Sequence, residues 1–162
     1  MLFRSRNIKG QVDLCPLGEN TGKQLWDKVV VTADSGAGEH VCPPTLFPQV
    51  PVRESEGSKK GVTYKVANGE SIPNKGEKKI EGQNSNGVPM NIKAQVAKVS
   101  KFLASIGKMV KAGNKIVMDE NDSYIQNKKT GLRTPMRLEN NVFVFDLWVE
   151  KDSAEPFPRQ AQ

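Results

Sequence analysis

Short apolar runs separated by turn-forming residues make up most of the chain. Runs of this length, rich in β-branched and aromatic residues and bounded by Gly, Pro or Asn, are typical of β-strands. Asn68-Gly69 lies between two such runs and predicts a hairpin, because both residues tolerate positive φ; Asn86-Gly87 and Thr130-Gly131 mark later hairpins. We therefore expect an all-β fold. The predicted strands are Trp26–Ala33, Thr63–Ala67, Ser71–Asn74, Glu77–Ile80, Met90–Val96, Lys115–Met118, Tyr124–Asn127, Arg133–Leu138 and Val142–Val149.

One segment has helical rather than alternating spacing. In Ser100–Ala112, apolar residues recur three and four positions apart, and Gly113 supplies a stop signal. The pattern predicts one short helix near residues 100–112. Its start stays open, since Phe102-Leu103 could equally finish a strand that feeds the helix.

The two ends of the chain differ from its middle. Residues 1–24 mix charge, Gly and Pro with little periodicity and are interpreted as an N-terminal leader or linker, and residues 150–162 are interpreted as a C-terminal tail. A chain of 162 residues is expected to form one domain, which we place at residues 25–149.

The net charge of +6 and the isoelectric point near 9.3 raise the question of a nucleic-acid partner. The bases are scattered along the sequence, as in Lys59-Lys60, Lys78-Lys79 and Lys128-Lys129, and acidic residues lie near them. No aromatic residues interleave with them to stack bases. We expect a solvated basic surface and no specific nucleic-acid partner.

The cysteines and the apolar runs bear on whether the chain is a disulfide-rich, metal-binding, membrane or secreted protein. Cys15 and Cys42 are too few for a disulfide framework, and neither belongs to a metal-ligand motif. We expect no metal and no cofactor. No apolar run approaches the roughly 20 residues of a membrane span, and Met1–Arg6 lacks the apolar core of a signal peptide. An intracellular, cytoplasmic protein without a membrane partner is expected.

The segment with the most chemical content is the apolar run Val29–Ala33, which ends in Asp34-Ser35-Gly36-Ala37. A carboxylate at the end of a buried strand is costly unless it is paired or used. It could simply cap the Ser35-Gly36 turn. Alternatively, two carboxylates a few Å apart share a proton and can hydrolyse a peptide without a metal, one as base and one as acid.

A single chain supplies only one carboxylate in this setting. The other aspartates lack the strand-Asp-Ser-Gly context, so such a site would need two chains related by a two-fold axis, each contributing Asp34. Ser35 would tie the two loops together by hydrogen bonds, Gly36 would let backbone approach closely, and Ala37 would keep the floor of the pocket small. His40, the only histidine, has no partner for a nucleophilic triad and is interpreted as structural.

Four stretches, in order from about Val29 to about Val149, carry a family resemblance. They are Asp34–Val41, with Asp-Ser-Gly-Ala followed shortly by His; Ala67–Ile72 with Gly76; Val96–Val99 leading to Phe102–Met109 with Gly113; and Asn141–Phe145. With them the chain resembles a retropepsin-like aspartic protease, most closely the protease segment of copia-type retrotransposon gag-pol polyproteins.

The resemblance implies a retropepsin-like closed barrel with a flap hairpin, and an aspartic endopeptidase that acts as a homodimer on a polyprotein. It implies catalytic roles for Asp34, Ser35 and Gly36, and a mobile flap centred on Asn68-Gly69. Two departures are Ala104, where retroviral enzymes carry Gly, and a flap that lacks a Gly-Gly tip and is followed by Pro73. The implied substrate-binding residues are Ala37, Ala67, Asn68, Gly69, Leu103 and Ala104.

Two alternatives stay open at this point. The chain could be a catalytically silent module of the same fold that holds an extended peptide by β-augmentation or mediates dimerisation. It could also be a processing intermediate whose two ends are cleavage spacers.

Overall fold

The computed structural model describes residues 25–151, and the predictions made for residues 1–24 and 152–162, including Cys15, lie outside that range. Strands account for 49% and helices for 9%, so the chain is mainly β, as its patterning predicts. The strands are β1 (Trp26–Asp34), β2 (Val41–Cys42), β3 (Thr63–Lys65), β4 (Ser71–Pro73), β5 (Glu77–Gln83), β6 (Pro89–Val96), β7 (Phe102–Ser105), β8 (Asn114–Val117), β9 (Ser123–Asn127), β10 (Arg133–Glu139) and β11 (Val142–Glu150). The helices are α1 (Glu56–Lys59) and α2 (Ile106–Lys111). In the described part of the chain, neither helix is long and apolar enough to cross a membrane.

The strands form one large sheet and one small one. The nine-stranded sheet has the order β1-β7-β2-β6-β5-β11-β10-β9-β8, and β1 also pairs with β11. The extra pairing joins β1, β7, β2, β6, β5 and β11 into a closed ring, from which β10, β9 and β8 continue as an antiparallel meander. The small sheet is the β3–β4 hairpin.

All six ring strands contribute to one hydrophobic cluster. Along β11, the fully buried Phe145, Leu147 and Val149 alternate with half-buried residues, and Val31 and Ala33 alternate in the same way on β1. Burying each large apolar side chain contributes roughly 1.5–3 kcal/mol. The two strands pair over eight residues, from Phe143↔Ala33 to Glu150↔Trp26, so the end of β1 is held by the longest antiparallel pairing of the ring.

A close backbone contact closes the ring where β5 meets β11. Their pairing is limited to Trp148↔Gln83. A Cβ atom on Gly82 would lie 2.5 Å from the Trp148 carbonyl oxygen and 2.9 Å from Leu147 Cδ1. Only glycine fits here without a shift of the backbone.

A buried lysine holds the loop that follows β2. Lys78 is 1% exposed, and its Nζ donates hydrogen bonds to the carbonyl oxygens of Leu46 (2.6 Å) and Phe47 (3.0 Å). Burial lowers the pKa of Lys78. Phe47 has a φ of 54°, and its side chain packs in the core. The Lys78 ammonium group therefore donates the hydrogen bonds that a neighbouring strand would otherwise give to these two loop carbonyl groups.

The helix predicted over residues 100–112 is wrong in its first half. Phe102–Ser105 forms β7, with Phe102 and Ala104 buried and Leu103 half-buried between them, a period of two. Parallel pairing with β1 fixes this segment as a strand. The helix begins after Ser105, whose Oγ accepts a hydrogen bond from the Lys108 amide at 3.1 Å, as expected of an N-cap residue.

Short elements and strand ends also differ from the prediction. β2 and α1 are too short to show a period, and the pattern did not predict them. β11 extends to Glu150, and the amide of Lys151 donates to the Leu25 carbonyl at 2.8 Å. The predicted tail boundary at residue 150 therefore falls within this last strand.

Candidate active site

Asp34 is the last residue of β1 and lies beside β7. The two strands run parallel, with Ala33 opposite Ala104 and Asp34 opposite Ser105. Val31 and Ala33 of β1 are buried in the ring, whereas Asp34 is half-buried and the following Ser35 and Gly36 are exposed. The sequence thus delivers a carboxylate from the core to the surface at the end of a well-held strand.

The carboxylate is oriented by its own turn. Asp34 Oδ1 accepts a hydrogen bond from the Gly36 amide at 2.7 Å, and the Ala37 amide lies 3.4 Å from the Asp34 carbonyl oxygen. A Cβ atom on Gly36 would lie 3.3 Å from Oδ1, which is a tight contact. The capping role considered for Asp34 is therefore present, and it fixes the direction in which this carboxylate points.

His40 connects the loop after Asp34 to the neighbouring strands. Its Nδ1 accepts a hydrogen bond from the Ser105 amide at 2.9 Å, and its carbonyl oxygen accepts one from the Gln95 amide at 2.7 Å. An Nδ1 that accepts must be unprotonated. The pKa of His40 is lowered, chiefly by burial and further by Lys108, with Glu39 opposing. The interpretation of His40 as structural agrees with these contacts.

An ion pair flanks His40 on the outside. Lys108 Nζ, on α2, lies 2.9 Å from Glu39 Oε1, with both side chains partly exposed. Together with the Ser105 amide bond, this pair connects residues 39 and 40 to β7 and α2. Sequence analysis missed Ser105 and Lys108; the only available signal was a serine three residues before a lysine, an N-cap spacing that the predicted helix start obscured.

The β3–β4 hairpin has the Asn-Gly tip that its sequence predicts. The Val66 amide donates to the Glu70 carbonyl (3.0 Å), and the Gly69 amide donates to the Val66 carbonyl (2.9 Å). Asn68 Oδ1 accepts from the Glu70 amide at 2.9 Å, and Gly69 has a φ of 89°. Ala67, Asn68 and Gly69 are all exposed.

A buried hydrogen-bond network holds the base of this hairpin. Asn74 Nδ2 donates to the Tyr64 hydroxyl and to Gln95 Oε1, both at 2.9 Å. Asn74 Oδ1 accepts from Ser55 Oγ (3.2 Å) and from the Gly76 amide (2.8 Å). The network ties the hairpin to α1 and β6. Nothing in the sequence singled out Asn74, which stands at the end of a predicted strand.

Electrostatics relates the hairpin base to the Asp34 loop. The pKa of Tyr64 is raised, mainly by burial, while the hydrogen bond from Asn74 lowers it. Glu39 raises this pKa further and Lys108 lowers it. The hairpin base is also joined to the Asp34 loop through Gln95, whose side chain accepts a hydrogen bond from Asn74 and whose amide donates to the His40 carbonyl oxygen.

The structure brings some of the predicted site residues together and leaves others apart. Ser35, Gly36 and Ala37 share the Asp34 turn, and Leu103 lies on β7 opposite Thr32, two residues before Asp34. Ala104 is fully buried in the core cluster. Within residues 25–151, no hydrogen bond or ion pair joins the hairpin tip to the Asp34 turn, and no group of three or more His, Cys, Asp or Glu side chains could hold a metal ion.

No protein-family model matches the chain, and it has no match among curated proteins or solved structures.

Proposed function

We propose that this chain is an aspartic endopeptidase of the retroelement type, active as a homodimer that cleaves a polyprotein. The observation that carries the proposal is the position of Asp34, at the end of a buried strand, in an Asp-Ser-Gly turn, beside the parallel strand β7. The half-buried carboxylate and the exposed residues after it leave this turn accessible to a second copy of the chain.

In the proposed dimer, the two Asp34 carboxylates share one proton. The charged carboxylate takes a proton from a water molecule, whose oxygen attacks the peptide carbonyl carbon, while the neutral one donates its proton to the carbonyl oxygen. Collapse of the tetrahedral intermediate breaks the C–N bond. The leaving nitrogen takes the proton that the first carboxylate removed from water, and a hydroxyl of the intermediate returns a proton to the second carboxylate as the carboxyl product forms. Ser35 connects the two turns, and the Gly36 backbone contacts the extended substrate.

We propose together with this function that the mainly β fold is a retropepsin-like closed barrel with a flap. The closed ring of six strands and the separate β3–β4 hairpin, whose base is joined to the Asp34 loop through Gln95, support it. In this arrangement Ala67, Asn68 and Gly69 cover the substrate from above, and Ala37 and Leu103 contact it from below. Ala104 acts one layer deeper, by packing behind the turn.

The decisive experiment is cleavage of an unfolded protein at about pH 5, where one carboxylate of a pair holds the shared proton. Asp34→Asn preserves the shape of the turn and should abolish cleavage. Asp122→Asn, which neutralises an exposed carboxylate in the loop between β8 and β9, is the matched control and should cleave like the wild type.

Mixing tests the dimer itself. If one active site needs an Asp34 from each chain, an equal mixture of wild-type and Asp34→Asn chains that exchange freely retains about one quarter of the activity of an all-wild-type sample at the same total concentration. A mixture that retains half would indicate that each chain acts alone. Cleavage by Asp34→Asn at the wild-type rate would disprove the proposal.

A second candidate function rests on a different observation. β8, at the end of the large sheet, pairs only with β9 in the described part of the chain, so its other edge is open to an extended peptide. A chain that binds unfolded polypeptide but does not cleave it, with or without Asp34→Asn, would favour this silent peptide-binding module.

A further inference from the structure

Three strands of the large sheet place positive charges on one outer face. The register aligns Lys115 on β8, Gln126 on β9 and Arg133 on β10 in a single row. On β9, Ile125 is buried and Tyr124 and Gln126 point away from it, and on β10 the exposed Arg133 alternates with the buried Thr134. The row therefore lies on the side opposite the core.

The β9–β10 turn at one end of the row adds two lysines, Lys128 and Lys129. The amide of Lys128 donates to the Gly113 carbonyl at 3.0 Å, which holds this turn beside the start of β8. All of the cations involved are exposed. We call the resulting surface the basic face; its cations are Lys115, Lys128, Lys129 and Arg133.

The basic face lacks neutralising partners. None of its four cations forms an ion pair within residues 25–151, whereas Arg137, further along β10, is paired with Asp146 and Glu139. The acidic residues Asp119, Glu120 and Asp122 lie at the opposite end of the β8–β9 hairpin, six or more residues from Lys128 along the strand. At about 3.3 Å per residue, their separation from the turn lysines exceeds the Debye length of about 8 Å at physiological salt.

An aromatic side chain lies among the charges. The Arg133 guanidinium stacks over the Tyr124 ring, 3.8 Å from its centroid. A cation–π contact of this kind places the guanidinium over the face of the ring, and both groups have planar surfaces suited to stacking. Arg guanidinium planes and aromatic rings are the surfaces on which unstacked bases pack, and nearby lysines neutralise phosphates.

We propose that the basic face binds single-stranded nucleic acid without sequence preference. Bases stack on the Arg133–Tyr124 pair, and the lysines contact the phosphates on either side. The stacked pair favours nucleic acid over an acidic protein, which would use the charges but not the plane. The cations are scattered in sequence and are gathered only by strand register. The proposal therefore departs from the expectation, drawn from the sequence, of a solvated basic surface without a specific nucleic-acid partner.

The test measures fluorescence anisotropy of a labelled oligouridylate of about 20 nucleotides with the full chain. The triple variant Lys115→Gln/Lys128→Gln/Arg133→Gln removes three charges from the basic face. Lys59→Gln/Lys79→Gln/Lys93→Gln removes three from exposed positions elsewhere and is the charge-matched control. Two of the three replaced residues are lysines that contact phosphates, and each phosphate contact on a single strand contributes about 0.7 to the salt slope. The first variant should therefore lower the slope by about 1.4 and weaken binding at least 10-fold; the control should bind nearly as tightly as the wild type.

A second comparison isolates the role of the planar Arg133 guanidinium. Arg133→Lys keeps the charge and removes the stacked guanidinium, so it should weaken oligouridylate binding several-fold and leave binding of inorganic polyphosphate unchanged. Equal losses in the two triple variants would overturn the proposal in favour of net charge alone. Polyphosphate binding as tight as oligouridylate binding would overturn it in favour of a general polyanion surface. The Asp34→Asn chain should bind like the wild type, so the result is independent of the proposed protease activity.

Discussion

Replacing Lys78 by Met tests whether a buried ammonium group stabilises this fold. Met keeps an unbranched chain of similar length and removes the three N–H donors. Each hydrogen bond to a charged group contributes about 1.5–3 kcal/mol net, and Lys78 makes two. The Phe47 carbonyl keeps a second donor, the Val50 amide at 3.0 Å. The Leu46 carbonyl has no other donor among the described residues and is left unpaired.

The cost of burying the charge works in the opposite direction. Burial lowers the pKa of Lys78 because the surroundings disfavour its charged form. The uncharged Met side chain does not carry this cost of burying a charge. Subtracting this relief from the two lost bonds and the unpaired carbonyl leaves an expected destabilisation of about 2 kcal/mol. Because the protonated state is disfavoured in the fold, the free energy of unfolding contributed by Lys78 rises with pH between its folded pKa and about 10.5.

The assay is urea unfolding followed by fluorescence, with Lys79→Met as the matched control. Lys79 is the next residue on β5, is exposed and lies directly opposite Lys93. Since like charges in cross-strand positions repel, Lys79→Met should change the free energy of unfolding by less than about 0.5 kcal/mol. If Lys78→Met unfolds at the same urea concentration as Lys79→Met, or higher, with an unchanged m-value, the hydrogen bonds of Lys78 do not stabilise the fold.

Two further predictions concern ring closure and acidity. Gly82→Ala forces a Cβ against the Trp148 carbonyl oxygen and should destabilise the fold by about 1–3 kcal/mol in the same urea assay. Its control, Gly107→Ala at an exposed position on α2, should stabilise the fold by roughly 0.5–1 kcal/mol. Equal effects of the two substitutions would contradict the close contact at Gly82. Because the pKa of His40 is lowered in the fold, its contribution to stability is lost as pH falls below about 6.5. His40→Asn, whose oxygen can still accept the β7 amide, should lose less stability between pH 7 and pH 5 than the wild type, and a parallel loss would refute this role. The only histidine of the chain can be followed directly by NMR.

Local signals predicted the elements that depend on local sequence. The β-branched run Val29–Ala33 predicted a strand. The Asn-Gly dipeptides at 68–69 and 86–87 predicted two hairpins, at whose tips Gly69 and Gly87 have positive φ. The helix near residues 100–112 shows where local signals fail. Phe102 and Ile106 are four residues apart, a spacing that fits a period of about 2 as well as one of about 3.6. The pairing of β7 with β1, about 70 residues earlier, makes Phe102–Ser105 a strand.

The candidate site likewise combines local contacts that the sequence predicts with long-range contacts that it does not. The Asp34 turn was predictable because its hydrogen bond from Gly36 spans two residues. The bonds that support it are long-range: the Ser105 amide reaches His40 over 65 residues, and Asn74 reaches Gln95 over 21. A polar residue that will be buried and paired has the same appearance in a sequence as one in a loop, and Lys78 beside Lys79 is the clearest case. The cations of the basic face are brought together by strand register, which cannot be deduced from composition either.

These long-range bonds limit how the proposed enzyme could admit a substrate. Asn74 fixes the hairpin base to α1 and β6, and the His40 contacts fix the far end of the Asp34 loop to β7. The tip of the hairpin, from Val66 to Glu70, is held by its own turn bonds alone among the hydrogen bonds of the described residues. Opening therefore has to occur at this tip and in the short strands β3 and β4, while the base and the carboxylate stay in place. Under the proposed function, the polar network at Asn74 is what allows one part of the hairpin to move without displacing the catalytic turn.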